Sequence, residues 1–404
     1  MRRYLQFVAD YWPMLAFGFL TIFWGNFGQS FFVSWYGAAI QSSLNISATT
    51  YGTIYSLATL GSGLSIMALG GVIDRWPLRR FVIAVAAGLT VAALLLWQVQ
   101  HIVTLLLGFF LVRLCGQGLL PHTAQTTMAR QFDANRGKAL SISASGVPFG
   151  EVILPMMVVA LIISFGWRNS WLVVALSIPL VYLPVAIALL HLAQKRGQFR
   201  PLEELEIIHP NQPAAGRREM LRDRRFWFAF PALMAGPFVV TGVFIQQGFI
   251  LEQKSWSPAW FASCFVVYGA LHWLSSMASG VLVDRFSAQR VLPFTVAPLA
   301  VAMFVAAGFE GNWVAMVMMA LMGTTIGAVS PATGALWAEV YGTAKLGSIR
   351  SLVTSLMVLT TALAPVVLGA FIDGGKSGAD VLTILGVGVS VAVVLVFFSY
   401  RLPK

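Results

Sequence analysis

Residues 81–99, FVIAVAAGLTVAALLLWQV, contain no charged side chain. At about 1.5 Å per helical residue, a run of this length reaches across most of the ~30 Å hydrocarbon core of a bilayer. A surface helix of a soluble protein would interrupt such a run with a polar stripe. Eleven more stretches of comparable length and almost no interior charge cover 14–38, 51–73, 102–128, 139–164, 168–192, 226–250, 258–282, 291–309, 313–338, 348–372 and 381–400. The chain is thus expected to be an all-α membrane protein with twelve transmembrane helices. A composition of 58% hydrophobic and 10% charged residues, with a mean hydropathy of +0.80, excludes an ordinary soluble chain of 404 residues.

The net charge of +11 raises the question of nucleic acid, and the position of the charges answers it. With both termini placed inside, inner segments hold 22 of the 26 Lys and Arg residues, outer segments hold Arg168, Lys254 and Lys376, and Arg113 falls within the fourth span. This is the positive-inside distribution of a membrane protein with cytoplasmic termini, so a nucleic-acid partner is not expected. The basic start MRRYLQFVADYWPML lacks a small-residue cleavage site and reads as part of an uncleaved first helix. Cys115 and Cys264, one in each half, make neither a disulfide framework nor a metal set. No cofactor is expected.

Between 193 and 225 the sequence becomes polar, Pro-interrupted and dense in both charge signs. This segment divides the spans six and six, giving domains at 1–192 and 226–404 joined by a tether. Within the tether, GRREMLRDRRF reads either as solvated chain or as an amphipathic helix on the inner membrane surface.

The halves repeat one another. GGVIDRWPLRR at 70–80 returns as GVLVDRFSAQR at 280–290, setting Asp74 on Asp284 between the second and third spans of each half. GLLPHTAQTTMARQF at 118–132 matches GAVSPATGALWAEVY at 327–341 with almost the same offset. Parallel six-helix repeats with a site near the midplane are an alternating-access architecture.

On these residues the chain resembles the major facilitator superfamily over essentially its whole length. Gly70, Asp74, Arg75, Arg79 and Arg80 match that family's loop motif, with Pro77 where a second Gly is usual. Gly280, Asp284, Arg285 and Arg290 match its weaker second copy, and Arg113, Gly116 and Gly118 its Arg-and-Gly pattern. GQSFFVSW, YSLATLGSG, NRGKALSISASG, GWRNSW and RDRRFWF further resemble the monocarboxylate-transporter and oxalate/formate-antiporter branch. Ser276 stands where that branch often carries Arg, and His272 is the nearest ionisable group. The resemblance implies a latch on the inner side, with Asp74 near Arg350 and Asp284 near Arg136 or Lys138. It also implies a monomer.

Only Glu151 among the fifteen acids, and only Arg113 among the Lys and Arg residues, lies deep within a span. A charge at a helix centre costs roughly 2.5 to 3.5 kcal/mol even on the lenient insertion scale, so both positions demand partners. Counted along their spans, Arg113 lies about 17 Å from the outer end and Glu151 about 18 Å from the inner end, which sets them at similar depth. Either they tie two helices together, or Arg113 attracts an anionic substrate while Glu151 exchanges a proton. Burial favours the neutral carboxyl and a nearby guanidinium favours the charged one, so a change in their separation moves a proton. His272 and His122 read as helix-to-helix hydrogen-bonding groups or as proton relays.

Asn26, Gln29 and Ser30 in the first span, Gln246 and Gln247 in the seventh, and Thr324 and Thr325 in the tenth supply uncharged groups for substrate or for helix pairing. GVPFGEVILP at 146–155 combines Gly-xxx-Gly spacing with Pro148 and predicts close packing and a bend. Trp256, Trp260 and Trp313 read as interfacial anchors. Walker, His-Glu-xx-His and nucleophile-elbow motifs are missing, so an enzyme is not expected. The expected function is secondary transport of a small organic solute, foremost an anion such as a monocarboxylate, coupled to protons across a bacterial plasma membrane. Proton-driven efflux of amphipathic compounds is the alternative within transport, and a non-transporting receptor or scaffold the alternative outside it.

Overall fold

The computed structural model describes residues 2–69, 72–73, 76–132, 136–198, 215–341 and 346–400. Its helices, in chain order, begin with α1 (Arg2–Gly25), α2 (Ser30–Val33), α3 (Gly37–Leu44), α4 (Ala48–Leu69), α5 (Leu78–Trp97) and α6 (Ile102–Leu111). They continue with α7 (Leu120–Gln131), α8 (Arg136–Ala144), α9 (Gly146–Ser177), α10 (Leu183–Lys195), α11 (Ala215–Arg222) and α12 (Arg224–Ile245). The last are α13 (Gln247–Gln253), α14 (Pro258–Phe286), α15 (Ala288–Gly308), α16 (Asn312–Tyr341), α17 (Leu346–Asp373) and α18 (Gly378–Phe397). Wider π-helical turns over Val112–Leu119 and Ile178–Tyr182 join α6 to α7 and α9 to α10.

Among the described residues, ten spans are long and apolar enough to cross a bilayer. One of them, Lys138–Lys195, runs for 58 residues, roughly two crossings, and contains two helices joined at Gly166. There φ is +77°, a conformation a Cβ would strain. α4 adds a 22-residue helix without a charged side chain. The large residues left exposed, such as Leu64, Ile163, Leu180, Val281 and Phe294, are apolar, as a hydrocarbon solvent requires.

Contacts divide the chain into two units, Met1–Ala39 with Leu57–His209, and Ile40–Ser56 with Pro210–Lys404. In the first, α1 packs against α7, α8, α9 and α10, and α5 against α6 and α9. In the second, α16 packs against α14 and α15, while α12 packs against α17 and α18. Small residues allow this: a Cβ on Gly323 would collide with the Tyr268 carbonyl oxygen, and Ser279 Oγ donates to the Ala328 carbonyl at 2.7 Å. Gly280, by contrast, faces open space among the described residues, so close helix approach is not what requires it.

One expected interfacial anchor is a core residue. Trp256 is buried, stacks on Phe261 at 6.0 Å and donates to the Gly311 carbonyl, because the turn after α13 folds it inward. Trp260 donates to the Asn312 carbonyl at 2.8 Å, whereas Trp313 stays exposed. Lys254 is likewise buried, in an ion pair with Glu310 at 2.8 Å.

The start of α4 belongs to the second unit and is capped from α17. Asp373 Oδ2 accepts from the Thr49 amide at 2.9 Å, meeting an orphan donor of the helix N-terminus. A Cβ on Gly369 would lie 2.7 Å from the Ala48 carbonyl oxygen, so the two helix ends touch through backbone. Asp373→Ala should lower stability by about 1 kcal/mol, the usual worth of a helix cap, and speed amide exchange at Thr49. Unchanged exchange at Thr49 in the variant would remove the cap from the account.

At the start of α12, Asp223 caps the helix and accepts from the Arg225 guanidinium at 3.0 Å and from the Tyr341 hydroxyl at 3.0 Å. Burial works to raise the Asp223 pKa, but the hydrogen bonds from Arg225 and Tyr341 and the Arg225 charge together hold it below the ordinary value. A depressed carboxylate contributes stability above its unfolded pKa of about 3.9 and loses it as pH falls through the lower folded value. The stability gap between wild type and Asp223→Asn should therefore stay constant above about pH 5 and shrink below about pH 4, as thermal unfolding across that range will register.

Candidate functional site

The first span does not cross as one helix. α1 ends at Gly25, a tight 3-10 turn follows at Asn26–Gly28, and Gln29 is extended at φ −76° and ψ 150° before α2 begins. The cause is the approach of the fourth span. A Cβ on Gly25 would lie 2.9 Å from the Gly116 carbonyl oxygen, and one on Gly116 would lie 2.8 Å from Gly28 Cα. A Cβ on Gly28 would collide with Val112 O and Gln117 N. Glycines on both partners bring backbone against backbone. The fourth span widens into its π-helical segment over this same stretch, a distortion common at functional sites.

That segment carries Arg113. The side chain is 3% exposed, and Nη1 donates to the Gly28 carbonyl at 3.1 Å. A carbonyl freed by the break in the first span thus receives one of the guanidinium donors.

The fifth span reaches the same turn from another side. α8 and α9 are separate helices broken at Ser145, just before Pro148, as the bend expected there requires. Asn26 Nδ2 donates to the Gly146 carbonyl at 2.8 Å, which fixes the amide orientation and leaves buried Oδ1 without a protein partner among the described residues. One turn on, a Cβ at Gly150 would sit 2.6 Å from Asn26 Cγ, so only glycine lets the amide lie there. Gly146 meets the Phe19 carbonyl in the same manner, and the Gly-xxx-Gly pair therefore packs on the first span. Glu151 follows Gly150 directly and is 4% exposed. Both deep ionisable groups are thus held on segments that touch Asn26–Gly28.

Aromatic rings surround this turn. Trp24 stacks on Tyr182 at 5.6 Å, and Tyr182 lies in the second π-helical turn with its hydroxyl donating to Thr21 Oγ1 at 3.4 Å. Phe27 meets Phe32 at 4.9 Å, and Tyr36 meets Trp171 at 4.5 Å. Sequence reasoning did not single out Trp24, Tyr182 or Trp171. Aromatic residues are scattered through every span, and a π-helical turn leaves no periodic signal by which to choose among them.

In the second unit, the seventh span also breaks, at Gln246, where φ is −100° and ψ 19°. Gln246 Nε2 donates to the Ala48 and Pro365 carbonyls at 3.1 and 3.2 Å, which commits the amide to joining helix ends. Gln247 Oε1 and Thr325 Oγ1 are buried without a protein partner among the described residues, whereas Thr324 Oγ1 donates to the Ala320 carbonyl. His272 is half-buried beside Tyr268, with its carbonyl oxygen against Gly327. Gln29, Ser30 and His122 are half-buried in the first unit.

Of the loop-motif residues, Arg79 and Arg80 are exposed on the first turn of α5, Arg285 lies 5.2 Å over the Phe286 ring, and Arg290 is exposed. Gly70, Asp74 and Arg75, and the side chains of Asp284, Arg136 and Arg350, lie outside the described residues. Among the described residues, no group of three His, Cys, Asp or Glu side chains is placed to hold a metal.

A lipid-exposed helical protein with broken spans and buried ionisable groups at their breaks belongs to the class of membrane transporters. The family model of the Major Facilitator Superfamily matches residues 15–271 and 238–404. The chain belongs to that superfamily. It is 25% identical to the multidrug resistance protein MdtG of Serratia proteamaculans (strain 568), over 70% of this chain and 68% of that one. It is 23% identical to the uncharacterized transporter YybO of Bacillus subtilis (strain 168), over 90% and 88% of the two chains. The fold matches that of a mutant form of the nucleoside transporter NupG with a TM-score of 0.72, covering 96% of this chain and 98% of that one at 12% identity.

Proposed function

We propose that this transporter exports amphipathic small molecules in exchange for protons, with Glu151 carrying the proton and Arg113 setting when it is released. The carrying observation is that Arg113 and Glu151, 3% and 4% exposed, are both held on segments that touch the broken turn Asn26–Gly28. A shift of that turn moves both segments and so alters the separation of the guanidinium from the carboxyl group. The hydrogen bond from Arg113 to the Gly28 carbonyl ties the guanidinium to the broken turn, which suits a role in coupling. The half-buried Trp24 beside this turn offers an aromatic face that suits a partly apolar solute. The name of the MdtG relatives supports the same reading.

Proton-coupled transport of an organic anion is the second reading, favoured by the permanent charge of Arg113 at mid-depth and by the monocarboxylate-branch resemblance. Purified protein in proteoliposomes under an imposed pH gradient separates the two. Movement of lipophilic dyes against their gradient, without movement of small carboxylates, is the expected result; carboxylate movement alone would install the second reading. Silence with both solute classes, from protein shown to be folded, would end the transport assignment.

Under the same proposal, Asp74, Arg75, Arg79 and Arg80, with Asp284, Arg285 and Arg290, act with Arg136 and Arg350 as a cytoplasmic latch. Asp74→Asn should cut turnover severely while leaving the protein in the membrane. Full turnover at normal abundance would refute the latch.

A further inference from the structure

The corner between α11 and α12 presents the same pattern on both helices. α11 exposes Arg218, Leu221 and Arg222, and α12 exposes Arg224, Trp227 and Phe228. In each helix these are positions i, i+3 and i+4, which fall on one face. The opposite faces are buried through Met220 on α11 and Phe226 and Ala229 on α12, so the orientation of both helices is fixed by packing. The two exposed faces meet, because Trp227 Nε1 donates to the Leu221 carbonyl at 2.8 Å. That bond holds the indole against the last turn of α11.

The charge of the corner is not cancelled locally. Asp223, the acid between the helices, is already engaged by Arg225 and Tyr341. Arg218, Arg222 and Arg224 have no acidic partner among the described residues, and Glu219 is the one acid on α11. Three guanidinium groups thus stand beside exposed Leu221, Trp227 and Phe228 at the end of a membrane-crossing helix. Apolar side chains at that level enter the boundary between headgroups and acyl chains, and guanidinium groups pair with phosphate oxygens through two parallel hydrogen bonds.

We propose that the α11–α12 corner is a binding site for the headgroup of an anionic phospholipid, with Arg218, Arg222 and Arg224 on the phosphate and glycerol oxygens and Trp227 and Phe228 among the acyl chains. The positive-inside bias puts this lipid in the cytoplasmic leaflet, which attracts basic segments at the membrane surface. A bound lipid at this corner holds α11 against the bilayer.

The test uses the full chain in phosphatidylcholine liposomes doped with either brominated phosphatidylglycerol or brominated phosphatidylcholine. Subtracting the fluorescence of Trp227→Phe from that of wild type isolates one indole among the thirteen tryptophans. Half-maximal quenching of Trp227 should need at least tenfold less brominated phosphatidylglycerol than brominated phosphatidylcholine, and this preference should weaken with added salt, as screening requires. Each arginine should account for about fivefold, from roughly 1 kcal/mol per basic residue at the surface, so R218Q/R222Q/R224Q should abolish the preference. Should the triple variant fail to insert, R224Q alone should reduce it by about fivefold. Equal quenching by the two lipids would overturn the proposal. Loss of the preference on adding millimolar inorganic phosphate at constant ionic strength would overturn it too, by assigning the site to a soluble anion.

Discussion

Glu151→Gln is expected to abolish accumulation driven by a pH gradient while leaving exchange of solute for solute largely intact. With one proton exchanged per molecule, a gradient of about one pH unit sustains a ratio of about tenfold, equivalent to roughly 1.4 kcal/mol. The variant should show no ratio at all, because a glutamine amide of similar size fills the place of Glu151 but cannot take up or release a proton in this range. Exchange should survive because the broken turn at Asn26–Gly28 and the glycine contacts of Gly146 and Gly150 do not depend on the carboxyl group. The measurement is paired: gradient-driven accumulation and counterflow in the same proteoliposomes. Unaltered pH dependence would take Glu151 out of the mechanism, and loss of both activities would make it a structural residue.

Gly28→Ala should be the most damaging single-methyl addition in the first unit. The new Cβ would meet Val112 O and Gln117 N, backbone atoms of the π-helical segment that cannot rotate out of the way as a side-chain tip can. Overpacking of this kind costs on the order of 1 to 3 kcal/mol, and here it also pushes the carbonyl that receives Arg113 away from its donor. Transport should fall by more than the stability loss accounts for, whereas Gly61→Ala, whose Cβ would meet only the Phe110 ring at 3.3 Å, should be far milder. Equal effects of the two substitutions on unfolding temperature and on turnover would show that the contact between the first and fourth spans has slack the geometry denies.

How far the site was legible depends on the kind of signal each residue carries. Arg113 and Glu151 declare themselves, because ionisable groups are rare in an apolar background and insertion is costly without partners. Asn26 was visible only as one polar residue among several, and nothing in its neighbours foretold that Gly146 would take its amide hydrogen and Gly150 would make room for it. Gln246 looked equivalent to Asn26 by type, yet its amide holds Ala48 and Pro365 together. Trp256 sat at a span boundary in the sequence, and the inward turn after α13 made it core.

The sequence by itself determined that this chain is helical and spans a membrane, roughly where it crosses, and which two charges lie deep within it. Those properties follow from transfer free energies, which add up along a chain residue by residue. Only the tertiary structure decided where the first and seventh spans break, where the fourth widens, and which polar groups meet at the breaks. Such choices arise from contact between segments 85 to 198 residues apart, as the bonds of Gly28 with Arg113, of Asn26 with Gly146 and of Gln246 with Ala48 illustrate. No local pattern encodes a contact of that range.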